Sequence, residues 1–267
     1  MSQQAASLLL SVILQDSSSS SSSDDSDTEL LILSGQIKSY DSQPKIKDYV
    51  QKLVPSYSDV AFQSHFRMDR SSIQMMCDVI SADYYKPASS RAQVPIYTVV
   101  LLTVWYMANM ESFRSVADRF DLNKGHAHTL MMFAAKLINK NIKLWISWPT
   151  GERAQKNMED FNNIPGNKLK GIFGCLDGSH FRICKSQVDN SYINRHQYPS
   201  INLQAICDSK KKFLYVFSGW PGSAHDSRVW TKSPLHNDIE RKKDDMLPPS
   251  SYIISDSATP GLKHLLK

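Results

Sequence analysis

From about Asp69 to Phe161 the apolar residues recur at helical spacing. Ile73, Met76, Cys77 and Ile80 share one face of a predicted helix, with Asp69 or Ser71 as its cap. A second helix is predicted from about Pro95 to Asn109, with a proline in its first turn and a wide apolar face. Within 111–138 the pattern is sharper. Phe113, Val116, Ala117 and Phe120 form one stripe, and Ala127, Leu130, Met131, Ala134, Leu137 and Ile138 form another. Asp121, Leu122 and Asn123 make the turn between them, and Asn123 is placed to cap the second helix. Gly166 marks a change of period. A short apolar run at 169–176 ends at Asp177-Gly178, and Ser200–Cys207 and 213–218 flank a basic hairpin turn at 208–212. A helix is predicted at 226–231, with Asp226 or Ser227 at its cap, and a last strand at 252–255 ends at Asp256. These elements predict an α/β protein: an N-terminal helical domain with a helix-turn-helix, then a partial mixed sheet.

The expected domains are a tail at 1–60, a helical domain at 61–165 and a sheet domain at 166–267. Residues 17–29 are an acidic serine tract too poor in apolar surface to offset the entropy of ordering, and order is expected from about Val60. The 267 residues suffice for one or two domains with real cores. Four cysteines, scattered and without CxxC spacing, point away from both a disulfide framework and structural zinc, and to a reduced, intracellular chain. No apolar run reaches membrane-spanning length, and 8–14 has no basic residue before it, unlike a secretory leader. No membrane partner is expected.

Charge alters the picture. Residues 1–60 carry a net −4 and the remainder +9, so the body is suited to a polyanion, with DNA the first candidate. In the helix-turn-helix, Lys124, His126, His128 and Thr129 are the side chains expected to reach phosphates or base edges. An ordinary helical hairpin has the same stripes. His126 and His128, two apart, do not share a helix face and so are not a joint metal site.

The carboxylates carry the chemistry. Phosphodiester hydrolysis by two divalent cations needs Asp or Glu oxygens converging from neighbouring strand ends. Asp177 and Asp256 end predicted strands, and they meet if those strands are parallel neighbours. Asp226 is either a third polar point beside them or a helix cap, Asp208 belongs to the hairpin turn, and His180 contacts a phosphate or supports its strand. Lys210, Lys211 and Lys212 suit DNA phosphates.

Residues 173–181, Phe-Gly-Cys-Leu-Asp-Gly-Ser-His-Phe, resemble the Asp-Gly-Thr-His segment of PIF/Harbinger transposases and their domesticated nuclease-like relatives. Tyr192-Ile193-Asn194-Arg195 with 200–208, then 220–228 (Trp-Pro-Gly-Ser-Ala-His-Asp-Ser-Arg), resemble the family's following blocks. Asp256-Ser257-Ala258 resembles its Asp-Ser-Gly/Ala-Tyr segment, with Thr259 in place of the tyrosine. The resemblance implies a ribonuclease H-like fold, a helix-turn-helix before it, and a nuclear DDE endonuclease using Mg²⁺ or Mn²⁺. It carries over Asp177 as first carboxylate and Asp256 as second, with Asp226 as auxiliary ligand or rival. A Myb/SANT-like DNA-binding protein is the implied partner. The family's glutamate and its covering helix lie tens of residues further on, whereas no acidic residue follows Asp256 here, so a C-terminally truncated form is expected. The alternative function is a domesticated, non-catalytic DNA-binding or partner-binding protein.

Overall fold

A computed structural model describes residues 45–84, 93–183, 189–256 and 265–266. The expectations for the serine tract and for 8–14 lie outside these residues. The chain divides into two compact units, with the boundary between Asn141 and Ile142.

In the first unit a π-turn, Tyr49–Leu53, leads into Val54–Ser56 and then α1 (Asp59–Phe66), α2 (Arg70–Tyr84), α3 (Ile96–Asn109), α4 (Phe113–Arg119) and α5 (Lys124–Lys140). Order therefore begins before Val60: Tyr49, Val50 and Val54 are buried. The aromatic ring of Tyr49 explains this, because it packs edge-on to both Trp105 and Phe120. Asp69 caps α2 by accepting from Ser72 N at 2.7 Å. The centre of the unit is α3, whose residues 98–105 are all buried, so it is the middle of the bundle rather than an amphipathic face. Within that stretch the buried Thr103 hydroxyl donates to Val99 O at 2.8 Å.

In the second unit α6 (Glu152–Asn162) precedes β1 (Ile172–Arg182), β2 (Ser200–Cys207) and β3 (Phe213–Pro221). Three helices follow, α7 (Asp226–Thr231), α8 (Pro234–Arg241) and α9 (Lys243–Met246), and then β4 (Tyr252–Ser255) and β5 (Leu265–Leu266). The sheet order is β3-β2-β1-β4-β5, with β1, β2 and β3 antiparallel and β4 and β5 parallel to β1. This mixed five-stranded sheet behind a helical part is consistent with the ribonuclease H-like arrangement. The helix at 152–162 belongs with the sheet: Ala154 joins the sheet's core, and buried Asn157 donates to Phe173 O at 2.6 Å. The unit boundary accordingly falls near 141, not at 165. Trp230, from the expected helix at 226–231, joins Leu235, Ile239 and Leu247 in covering Leu176, Ile206 and Ile253, and the last three lie in a segment that the sequence pattern left unassigned.

β1 is longer than the apolar run that predicted it. It pairs with β2 from Cys175 to Arg182, and Asp177 lies in its middle rather than at its end. The polar residues Asp177 and Ser179 are exposed while Leu176 is buried, so the second half of the strand alternates and does not read as an apolar run.

Candidate active site

The parallel β1–β4 ladder pairs Cys175 with Ile254 and Leu176 with Ser255. The ladder ends at that pair, so Asp177 and Asp256 are the next residue on each chain; continued by one step, the same register would set them opposite each other on one face of the sheet. Both aspartates are exposed. The condition set for these two carboxylates, that their strands be parallel neighbours, is met, with Asp177 in the middle of β1 and Asp256 just past the end of β4. Asp177 Oδ1 also accepts from Gly178 N at 2.8 Å. Residues 176–265 match the DDE superfamily endonuclease family.

Within this matched segment Asp226 occupies a different place. A Cβ added to Gly178 would lie 2.8 Å from Asp226 Oδ1 and 3.2 Å from its Cγ. The side of β1 that Gly178 turns towards Asp226 is the side opposite Asp177. Asp226 is therefore not brought together with Asp177 and Asp256 on one face. Nor does it cap its helix, since His225 holds the N-cap position and Asp226 lies in the first turn. Its Oδ1 accepts from Asn202 Nδ2 at 2.9 Å, and its backbone oxygen accepts from Gln204 Nε2 at 2.7 Å. Asn202 and Gln204 are almost fully buried, and their own amide oxygens, Oδ1 and Oε1, have no hydrogen-bond partner among the described residues. Two amides at i and i+2 in an otherwise apolar strand were the available signal for this strut, and the sequence reading passed over it.

His180 lies on the strut's face, paired in register with Asn202, and its Nδ1 is 3.3 Å from Ser200 Oγ. Burial holds its pKa below the usual imidazole value, against the opposing pull of Asp226. Ser200 also accepts from Asn194 Nδ2 at 3.0 Å, and Asn194 Oδ1 accepts from His196 N and Tyr198 N, which pins the loop before β2. On the Asp177 face stand Cys175 and Cys207, directly opposed. Cys207 Sγ donates towards Cys175 O at 3.8 Å, and the closeness of the two thiols draws that of Cys207 down to about 7 and pushes that of Cys175 up.

The residues fit a hard divalent cation only in part. Two exposed carboxylates on one face suit Mg²⁺ or Mn²⁺ with phosphate oxygens completing the shell. Among the described residues no group of three His, Cys, Asp or Glu side chains forms a metal cluster.

The expected DNA contacts are placed as follows. Lys124, His126, His128 and Thr129 are exposed on the first turns of α5, which follows α4 after a four-residue turn. His128 packs edge-on to Phe113 (4.9 Å between centroids), and Thr129 donates to Gly125 O at 3.0 Å, so these two have local roles as well. Asn123 is the N-cap residue but does not cap with its side chain, which accepts from Lys45 Nζ at 3.0 Å instead. The hairpin turn closes as expected: Asp208 Oδ1 accepts from Lys210 N and Lys212 N at 2.9 and 2.7 Å. Lys210 is not a free cation, since its Nζ is 3.0 Å from Asp160 Oδ2, and this pair holds the Asp160 carboxyl below its ordinary value. Lys211 and Lys212 are exposed.

Curated proteins from a plant and from mammals resemble the chain over much of its length. The chain is 26% identical over 222 residues to the protein ALP1-like of Arabidopsis thaliana, covering 77% of this chain and 54% of that protein. It is 22% identical over 203 residues to the protein named "Putative nuclease HARBI1" of Rattus norvegicus, covering 75% and 56%. Over 184 residues it is 22% identical to the Arabidopsis thaliana protein antagonist of like heterochromatin protein 1, covering 66% and 46%. The chain spans about half the length of the curated relatives it matches. No solved structure matches it.

Proposed function

We propose that this chain is a PIF/Harbinger-type, transposase-derived nuclease that hydrolyses DNA phosphodiester bonds in the nucleus, with Asp177 and Asp256 as its metal-holding carboxylates. The observation that supports this reading is the parallel β1–β4 ladder, whose last pair, Leu176 with Ser255, immediately precedes the two exposed aspartates. A bound Mg²⁺ or Mn²⁺ would supply Lewis acidity towards the phosphate and make a water acidic enough to attack. Asp177 and Asp256 bring the oxygen donors. Gly178 lets Asp226 approach β1 from the other face, where Asn202 and Gln204 fix it and brace the strand that carries Asp177. Lys211 and Lys212 on the hairpin, and the exposed first turn of α5, contribute phosphate contacts.

The test is nicking of supercoiled plasmid by the whole chain with Mn²⁺, beside its Asp177→Asn and Asp256→Asn variants. Nicking is expected for the wild type, with a loss of roughly a hundredfold or more in each variant, on the scale of removing a group that stabilises transition-state charge. If the folded wild type binds DNA in a salt-dependent manner yet never nicks, the enzyme reading fails. The second reading, a non-catalytic DNA-binding or partner-binding protein, is favoured by the lack of a third metal-ligating side chain among the described residues. A Myb/SANT-like protein belongs to either reading as partner.

A further inference from the structure

Cys175 and Cys207 are directly opposed in the antiparallel β1–β2 ladder. Opposed residues in such a ladder send their side chains to one face, with Cα atoms about 4.5 or 5.5 Å apart according to the hydrogen-bonding pattern. Both separations lie inside the roughly 4.4–6.8 Å that a disulfide spans. The two side chains are free thiols and half-buried, neither sealed in the core nor fully in solvent. Cys207 Sγ lies 3.8 Å from Cys175 O, so its sulfur already sits over the partner residue. Cys77, by contrast, is 2% exposed inside the helical unit.

We propose that Cys175 and Cys207 are a thiol–disulfide exchange site, which reacts with low-molecular-weight disulfides and closes into a cross-strand disulfide. In the first step one cysteine thiolate attacks a sulfur of the small disulfide, breaking its S–S bond and releasing one small thiol. In the second step the other cysteine thiolate attacks the mixed disulfide and expels the second small thiol. The pair is oxidised by two electrons and the small disulfide is reduced by two, so no other oxidant is needed. Closure asks for side-chain rotation only, because the ladder already holds the two backbones at bridging distance. The site stands independently of the nuclease reading, since neither cysteine is a proposed ligand.

The experiment exposes the whole folded chain to oxidised glutathione, then maps tryptic fragments without reduction. Fragments 171–182 and 196–210, which carry Cys175 and Cys207, are expected as one linked species, two hydrogens lighter than their sum. The link should form with circular dichroism unchanged. In a Cys207→Ser variant Cys175 has nothing to resolve it, so a lasting glutathione adduct on fragment 171–182 is expected in place of the link. The proposal is overturned if the folded wild type keeps glutathione on these fragments, or leaves both reduced, while the urea-unfolded chain reacts.

Discussion

Replacing Gly178 with alanine tests the buried strut under β1. The new Cβ would stand 2.8 Å from Asp226 Oδ1 and 3.2 Å from Cγ, closer than real Cβ atoms come to an oxygen. A short aspartate has little room to swing, and this one is held by Asn202 Nδ2 at 2.9 Å on the same oxygen. Retreat by about half an ångström would stretch that bond towards the limit of a hydrogen bond. Asn202 already has an unpartnered Oδ1, so losing its donor bond would leave the whole buried amide unsatisfied. A hydrogen bond to a charged group contributes about 1.5–3 kcal/mol, and removing glycine from a strand returns about 0.5–1 kcal/mol. The net expectation is a loss of about 1–2 kcal/mol, read as a lower urea midpoint at unchanged slope. In an Asp226→Ala background the obstacle is gone, so Gly178→Ala should there be neutral or stabilising. If the two substitutions prove additive, or Gly178→Ala alone is stabilising, the strut does not work as described.

Other expectations follow from separate parts of the molecule. His180 is held below its ordinary value of 6.5 by burial, so on acidification the unfolded chain takes up a proton before the folded one. Stability should therefore be complete above pH 6.5 and decline as pH falls below it. Urea titrations from about pH 7.5 to about pH 5.5, bracketing that ordinary imidazole value, should show this slope in the wild type and a flatter one in His180→Gln. Leu101→Ala in the fully buried α3 should cost about 2–5 kcal/mol by denaturant titration, as a large-to-small change in a packed core. Lys210→Ala breaks an exposed ion pair with Asp160 and should leave the thermal midpoint unmoved. In the nuclease reading, Lys211→Ala should flatten the slope of log DNA affinity against log salt by about 1.

Periodicity and turn chemistry carried most of the secondary structure. The helix at Ile96–Asn109, the strands Ser200–Cys207 and Tyr252–Ser255, and the helix Asp226–Thr231 all stand where pattern put them. Each is either apolar along one repeat or bounded by residues with turn preferences, and such signals are local. What escaped had its cause elsewhere in the chain. The membership of Tyr49 in the core depends on Trp105 and Phe120, over fifty residues away in sequence. The extension of β1 to Arg182 depends on β2, which pairs with polar residues that have no strand pattern of their own. The helices Pro234–Arg241 and Lys243–Met246 are short, and what decides them is burial of Leu235 and Ile239 against the sheet.

The site divides along the same line. That the strands leading to Asp177 and Asp256 are parallel neighbours was legible as the condition under which the two carboxylates would meet, and β1 and β4 do pair in parallel. Asp226 was ambiguous, since a list of nearby carboxylates carries no information about which face each occupies. The deciding residue is Gly178. A strand alternates faces, so the space a glycine leaves open names the side from which a neighbour approaches, and that neighbour is Asp226. The same alternation puts Cys175 beside Asp177 and away from the strut, and it pairs with Cys207 only because β2 returns antiparallel at this register. A slip of one residue in the β1–β2 ladder would reverse the faces of Asn202 and Gln204, leaving Asp226 without donors and the two thiols on opposite sides. The buried amides of β2 therefore do two things at once: they hold Asp226 and they specify the register that keeps Asp177 on the exposed face.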